Sequence, residues 1–379
     1  MRLRFIKFCL ALLTISSRAA EPALKEVFRD DFLIGTALND WQVRGEISPH
    51  GGSRAEAEII RRHFNSITPE NALKWGVVHR ETDRYDFREA DRFVSFGEAH
   101  GMAVIGHTLV WHSQMPGWVF RESDGKPVAK EKLLQRMREH IHAIVGRYKG
   151  RVRGWDVVNE ALNDDGTLRK SPWLDILGED YIAKAFQFAH EADPDVGLYY
   201  NDYSLELDAK RNAAVEMLRK LLAAGVTVTG VGLQGHYGLT RPSASKIEET
   251  IEAFAALGLK VMITELDVNV LPTPGDGGAD VSQQFAADPK MDPYTAGLPE
   301  EMQQRLAHRY SDLFTLFLKH RRTLERVTFW GVSDASSWLN HFPIRGRTSH
   351  PLLFDRQGTP KPCFDAVIKA RNEAEQVKR

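Results

Sequence analysis

Cysteine is almost absent: the chain has 379 residues and two cysteines, Cys9 and Cys363. Cys9 lies in a leader-like N-terminal segment whose loss would leave Cys363 alone, so a disulfide-stapled scaffold is excluded. Charge of one sign is missing too, with 50 Lys and Arg against 51 Asp and Glu. Without a net field the chain is not marked for nucleic acid or an anionic membrane, and a neutral partner fits better. No run beyond the leader approaches the ~20 apolar residues of a membrane helix. P-loop and GxSxG motifs are missing, which removes nucleotide and serine-esterase readings. His107 with His112 and His140 with His142 lack metal-site spacing, so no metal is expected, and no cofactor either. Gly230, Gly232 and Gly235 do spell GxGxxG, but inside a strand with no helix opening at the third glycine, so a dinucleotide site is rejected.

What remains is ordinary globular composition, 42% hydrophobic and 27% charged. The N-terminus reads MRLRFIKFCLALLTISSRAA, a basic start, a short apolar run and small residues at the end. That order predicts a signal peptide over residues 1–20 and an exported chain whose single catalytic domain covers 21–379. A monomer is expected.

From Asp31 onward, apolar runs bounded by turn residues alternate with segments of helical spacing, the pattern of βα units. Eight runs can be counted: DFLIGTAL, SITPEN, MAVIGHTLV, VRGWDVVNE, GLYYND, GVGLQGH, KVMITELD and VTFWGVSD. Helical spacing follows at 131–148, 209–224 and 300–320. The fold class is therefore α/β, a single (β/α)8 TIM barrel with its active site at the C-terminal face of the strands. A Pro-, Gly- and Asp-rich insertion, 272–299, follows the seventh strand and should emerge on that face, as a surface loop or as one wall of a cleft.

Polar residues close these runs one after another. They are Glu70 and Asn71; His107, Trp111 and His112; Asn159 and Glu160; Asn201 and Asp202; Gln234 and His236; Glu265 and Asp267; and Trp330 and Asp334. One strand-terminal carboxylate would merely cap a helix. So many polar groups converging on one face are costly to bury unless a ligand or one another satisfies them. Strands four and seven stand on opposite sides of an eight-stranded ring, so Glu160 and Glu265 can face each other across its mouth. Paired carboxylates suit glycoside hydrolysis, which needs a proton donor for the leaving oxygen and a carboxylate on the other side of the sugar. Alternation places Asp267 on the face of Glu265, where it could orient His236 and so keep Glu265 ionised and aimed. Trp111, Trp330 and Trp338 offer flat apolar faces for a pyranose ring, whereas Trp41, Trp118 and Trp173 read as packing.

The segments GHTLVWH, WDVVNE, YYNDY, LQGH, ITELD and TFWGVSD, with ENALKW before them, resemble the ordered signatures of family 10 glycoside hydrolases, the endo-β-1,4-xylanases. The likeness runs from about Phe32 to about Phe364. It implies a retaining enzyme acting on xylan and xylo-oligosaccharides through a covalent xylosyl intermediate, with Glu160 as acid/base and Glu265 as nucleophile. It implies that Asn159 holds the sugar 2-hydroxyl, and that Glu70, Asn71, Lys74, His107 and Trp111 line the non-reducing side and Tyr203 the reducing side. Gln234 and His236 would support Glu265, and Trp330 and Trp338 would cover the cleavage subsite. Two departures stand out: Ser204 where the family motif continues with Asn, and a long eighth loop, LNHFPIRGRTSH. Another retaining barrel β-1,4-glycanase, or a xylan-binding barrel without catalysis, are the competing readings; the second should have lost a carboxylate, and this chain keeps both.

Overall fold

The computed structural model describes residues 22–48, 51–274 and 279–376, so the expected leader at 1–20 lies outside the described residues. Strands β1 (Leu33–Leu38), β2 (Ser66–Pro69), β3 (Ala103–Val110), β4 (Gly154–Asn159) and β5 (Gly197–Asp202) follow one another in parallel. The sixth stave comes in two pieces, β6 (Gly230–Leu233) and β7 (His236–Gly238), broken at Gly235, whose φ is 82°. Both pieces pair with β8 (Lys260–Asn269), and β9 (Leu324–Phe329) pairs with β8 and β1. The β6–β8 pairing closes the ring, giving the eight-stave parallel barrel that the alternating pattern implies.

The helices form where the apolar spacing is 3.6 rather than 2. Lys130–Arg147 buries Leu133, Met137, His140, Ile141, Ile144 and Val145, one face of a helix. Asp208–Ala223 and Glu300–Lys319 match the expected segments to within a residue at each end. The last strand differs from its reading: it starts at Leu324 and stops at Phe329, so Trp330 is the first residue past its end and Asp334 lies in the loop beyond. Asp334 serves that long loop, accepting from Lys361 Nζ at 2.8 Å and from the Leu352 amide at 2.9 Å.

Three register shifts distort the staves near their C-terminal ends. Between β3 and β4 the pairs His107/Asp156 and Val110/Val158 leave one extra residue on β3, and β4 carries one against β5. On β8, Thr264 and Glu265 stand opposite the single residue Thr328 of β9, between the pairs Ile263/Val327 and Leu266/Phe329. Such bulges turn side chains off the simple alternation and gather beside binding sites.

The described part of the insertion packs on two other loops of the same face. Arg347, from the loop after β9, donates to the Pro272 carbonyl at 3.0 Å, and Asp292 accepts from the Thr348 amide at 3.1 Å. Asp280 pairs with Arg169, from the loop after β4, at 2.9 Å.

Candidate active site

Glu160 is the first residue past β4 and adopts φ 57°, a left-handed conformation that a non-glycine residue holds only under constraint. The constraint is visible: its amide donates to the Asn201 carbonyl at 2.9 Å, and its own carbonyl accepts from Arg169 Nε at 3.1 Å. The carboxylate accepts from Trp111 Nε1 at 2.8 Å and from Gln234 Nε2 at 3.0 Å. Trp173 donates to the Trp111 carbonyl at 2.8 Å, so this packing tryptophan also fixes the segment that aims Trp111. Burial raises Glu160 above the ordinary 4.5; the Gln234 and Trp111 hydrogen bonds oppose the shift without cancelling it, and the charge of Glu265 adds to it.

Glu265 lies across the barrel mouth on β8. The bulge brings it inward beside Thr264, and both residues bind the same amide. Thr264 Oγ1 donates to Asn201 Oδ1 at 2.6 Å, while Asn201 Nδ2 donates to Glu265 Oε1 and Asn159 Oδ1, each at 2.8 Å. Gly232 leaves room for that amide, since a Cβ there would fall 2.3 Å from Asn201 Oδ1. This close approach accounts for one glycine of the GxGxxG pattern, and the turn at Gly235 for another.

The other Glu265 oxygen meets His236 Nε2 at 3.2 Å, and His236 Nδ1 meets Asp267 Oδ2 at 3.0 Å. Burial alone would pull His236 down, but the charge of Asp267 and hydrogen bonds to Asp267 and Glu265 push it up to about 10. It is therefore a cation at neutral pH, set between two carboxylates. Burial would raise Glu265, yet the His236 bond, the charges of His107 and His236 and the Asn201 amide together hold it below the ordinary value. The two glutamates are thus driven in opposite directions, one toward keeping its proton and one toward losing it.

Around the pair, Asp267 also accepts from Trp338 Nε1 at 2.7 Å, and Trp338 stacks on Phe342 with ring centres 4.6 Å apart. Trp330 meets the edge of His107, which bonds Asp156 at 2.9 Å. Lys74 Nζ donates to Asn71 at 3.3 Å and sits 4.8 Å from the Trp111 ring centre. Burial dominates at both Lys74 and Glu70, lowering the amine and raising the acid, while each offsets the other's shift by its charge. A small cavity bounded by Asn39, Gln42, Glu70, Trp330 and Trp338 adjoins this cluster.

Not every strand-end residue reaches the site. Asp202 turns outward to Lys210, 2.9 Å away, and to the Tyr200 hydroxyl. Trp118 donates to the Arg80 carbonyl, and Trp41 is only half-buried, with the Arg44 guanidinium over its ring, so Trp41 is no core residue. Gln234 serves both glutamates: its carbonyl accepts from the Glu265 amide at 2.7 Å, the support that the resemblance implies, while its side chain reaches Glu160, because the break at Gly235 separates its direction from that of His236. Tyr203 is 4% exposed, its hydroxyl held by Arg169 and its ring 3.6 Å from Lys210 Nζ. Asn201 stands among the strand-closing polar residues of the sequence but without a role assigned there, and Thr264 and Arg169 are passed over. Asn201 at least closes a strand, whereas Arg169 stands in a loop without periodic pattern. The one group among the described residues with atoms close enough for a cation, Glu248, Glu252 and His320, lies away from this cleft, and Glu248 already pairs there with Lys319 and His320.

Two buried carboxylates of opposite tendency, at the C-terminal mouth of a parallel (β/α)8 barrel and ringed by tryptophans, define a barrel glycoside hydrolase. The model described as "Glycosyl hydrolase family 10" matches residues 23–370. The chain belongs to glycosyl hydrolase family 10, a retaining family. It is 45% identical to an endo-1,4-beta-xylanase A from Xylanibacter ruminicola over 97% of this chain and 99% of that protein. It is 41% identical to a beta-1,4-xylanase from Dictyoglomus thermophilum, over 96% of each. Among solved structures, a GH10 endoxylanase retrieved from a sugarcane soil metagenome superposes with a TM-score of 0.86 at 45% identity, covering 93% of this chain and all of that one. An intracellular xylanase from Thermoanaerobacterium saccharolyticum superposes with a TM-score of 0.79 at 34% identity, covering 92% of this chain and 99% of that one.

Proposed function

We propose that the chain is an endo-1,4-β-xylanase that cleaves internal bonds of xylan by double displacement. The observation that carries this reading is the opposed pair: Glu160 biased to keep its proton and Glu265 held ionised. In the first step a Glu265 oxygen attacks the anomeric carbon as the glycosidic bond breaks, and the Glu160 proton passes to the leaving oxygen. Water then enters, Glu160 takes its proton, and the hydroxide attacks the anomeric carbon while the bond to Glu265 breaks. His236 favours the glycosylation step because its positive charge keeps the nucleophile ionised.

Asn159, whose Oδ1 is engaged by Asn201, presents its amide N–H group to the sugar 2-hydroxyl. Glu70, Asn71, Lys74, His107 and Trp111 take the non-reducing side, Trp330 and Trp338 roof the cleavage subsite, and Tyr203 borders the reducing side. Full-length similarity to xylanases supports xylan over other β-1,4-glycans. Release of mixed oligosaccharides from xylan, with little from carboxymethylcellulose, is the expected result; xylose as the sole early product would refute an internal cut.

Export rests on the N-terminal sequence alone. A relative described as intracellular makes location a separate question from activity. N-terminal sequencing of the native protein should begin near residue 21; an intact Met1 would refute processing.

A further inference from the structure

Arg169 joins three parts of the site that are remote in sequence. Its Nε donates to the Glu160 carbonyl at 3.1 Å, its Nη2 to the Tyr203 hydroxyl, and its Nη1 to Asp280 Oδ2 at 2.9 Å. The side chain is only 12% exposed and that of Asp280 18%, so these charge-assisted bonds are well shielded from water. The carbonyl it holds belongs to the residue at φ 57°, where a free backbone would relax toward an ordinary conformation. Tyr203 is held from its other side by Lys210, itself fixed by Asp202. Arg169 thus fixes the backbone of the acid/base residue relative to the tyrosine at the edge of the reducing side, and Asp280 ties the described part of the insertion to the same contact.

We infer that Arg169 is a positioning residue for proton delivery to a sugar leaving group, with Asp280 of the insertion holding it in place. The inference rests on the roles proposed above for Glu160 and Tyr203. If Arg169 only anchored a loop, its loss would slow all substrates alike. If it aims the acid, the loss must depend on whether the leaving group needs a proton and a sugar subsite.

Xylotetraose needs both, whereas dinitrophenyl β-xylobioside carries a leaving group that departs unprotonated. A misplacement on the order of 1 Å can cost about 100-fold, so Arg169→Met should lose roughly 30-fold in kcat/KM on xylotetraose but less than about threefold on the aryl substrate. Arg169→Lys should recover part of the loss. Asp280→Asn should lose about fivefold on xylotetraose, and the double variant Arg169→Met with Asp280→Asn should be no worse than Arg169→Met, since the two act through one contact. Equal losses on the two substrates, or none on xylotetraose, would overturn the inference. Should Arg169→Met fail to fold, the Arg169→Lys and Asp280→Asn variants decide between the same two patterns. If the wild-type chain instead prefers cellotetraose, the xylan reading fails, and the same contrast is then measured on cellotetraose and dinitrophenyl β-cellobioside.

Discussion

Thr264 and Glu265 are neighbours on one strand, yet both hydrogen-bond to the side chain of Asn201, Thr264 to its oxygen at 2.6 Å and Glu265 to its nitrogen at 2.8 Å. Regular alternation would send one of them to the outside of the barrel. The bulge opposite Thr328 makes room for both. The ionised Glu265 carboxylate can only accept, so it decides which end of the Asn201 amide it faces, since an inverted amide would set two oxygens against each other; the Thr264 hydroxyl then donates to the oxygen left on the other side.

Thr264→Val keeps the shape of the side chain but leaves Asn201 Oδ1 buried without its donor, at a cost of about 1–3 kcal/mol. With the amide less firmly held, Glu265 loses part of the support for its charged form, and its pKa rises. The acid limb of kcat/KM should move to higher pH while the alkaline limb stays. A pH profile checks this; an unmoved acid limb would show that Asn201 is fixed by other contacts.

The site was legible in the sequence wherever a polar residue falls in or just past the C-terminal half of a stave, because the barrel carries all such ends to one face. Glu160, Glu265, His236 and Asp267 came from that rule, and their mutual contacts follow it. Distortions of the staves were not legible. Alternation from the inward Thr264 would put Glu265 outside, and nothing in LQGH announces the break that leaves the Gln234 carbonyl on Glu265 while sending its side chain to Glu160 and His236 to Glu265. Loop residues such as Arg169 depend on long-range geometry that periodicity does not encode.

Activity requires Glu265 ionised and Glu160 protonated. Since Glu265 lies below and Glu160 above the ordinary 4.5, kcat/KM should rise with pH through the first and fall through the second. Trp111→Phe removes a donor that favours ionised Glu160, so Glu160 should hold its proton to higher pH and the alkaline limb should move up. A downward shift measured on xylotriose would contradict this account of the Trp111 bond.

Ser204 stands at φ 52°, a conformation that Asn tolerates better than other side chains, and Asn is what the family motif carries there. Ser204→Asn should therefore stabilise the fold by about 0.5 kcal/mol, raising the melting temperature on the order of 1–2 °C. Activity on xylan should change little. A lower melting temperature would show that the Ser204 surroundings cannot admit the larger side chain.

Trp338 is immobilised between Phe342 and Asp267, which suits a roof that excludes the hydroxymethyl group of glucose. Trp338→Ala should narrow the preference for aryl xylosides over aryl glucosides by about tenfold, because one methylene-sized contact contributes about 1–3 kcal/mol of discrimination. An unchanged ratio would place discrimination elsewhere, with Lys74 or Glu70 the next residues to replace.

The two glutamates should fail in different ways when each is removed. A dinitrophenyl leaving group departs without a proton, so Glu160→Ala should still form the glycosyl enzyme from dinitrophenyl xylobioside. Lacking the general base, it should hydrolyse that intermediate slowly, and the intermediate should accumulate to be seen by mass spectrometry of the intact protein. Azide needs no base: it should attack the anomeric carbon, displace Glu265 and restore turnover, giving a β-glycosyl azide of retained configuration. In Glu265→Ala no nucleophile remains, so a good leaving group gives no such help. Azide can then act only by direct displacement on the substrate, giving the α-azide of inverted configuration. A retained product from Glu265→Ala together with an inverted one from Glu160→Ala would mean that the two roles are exchanged, against the opposite tendencies that burial and His236 impose on the pair.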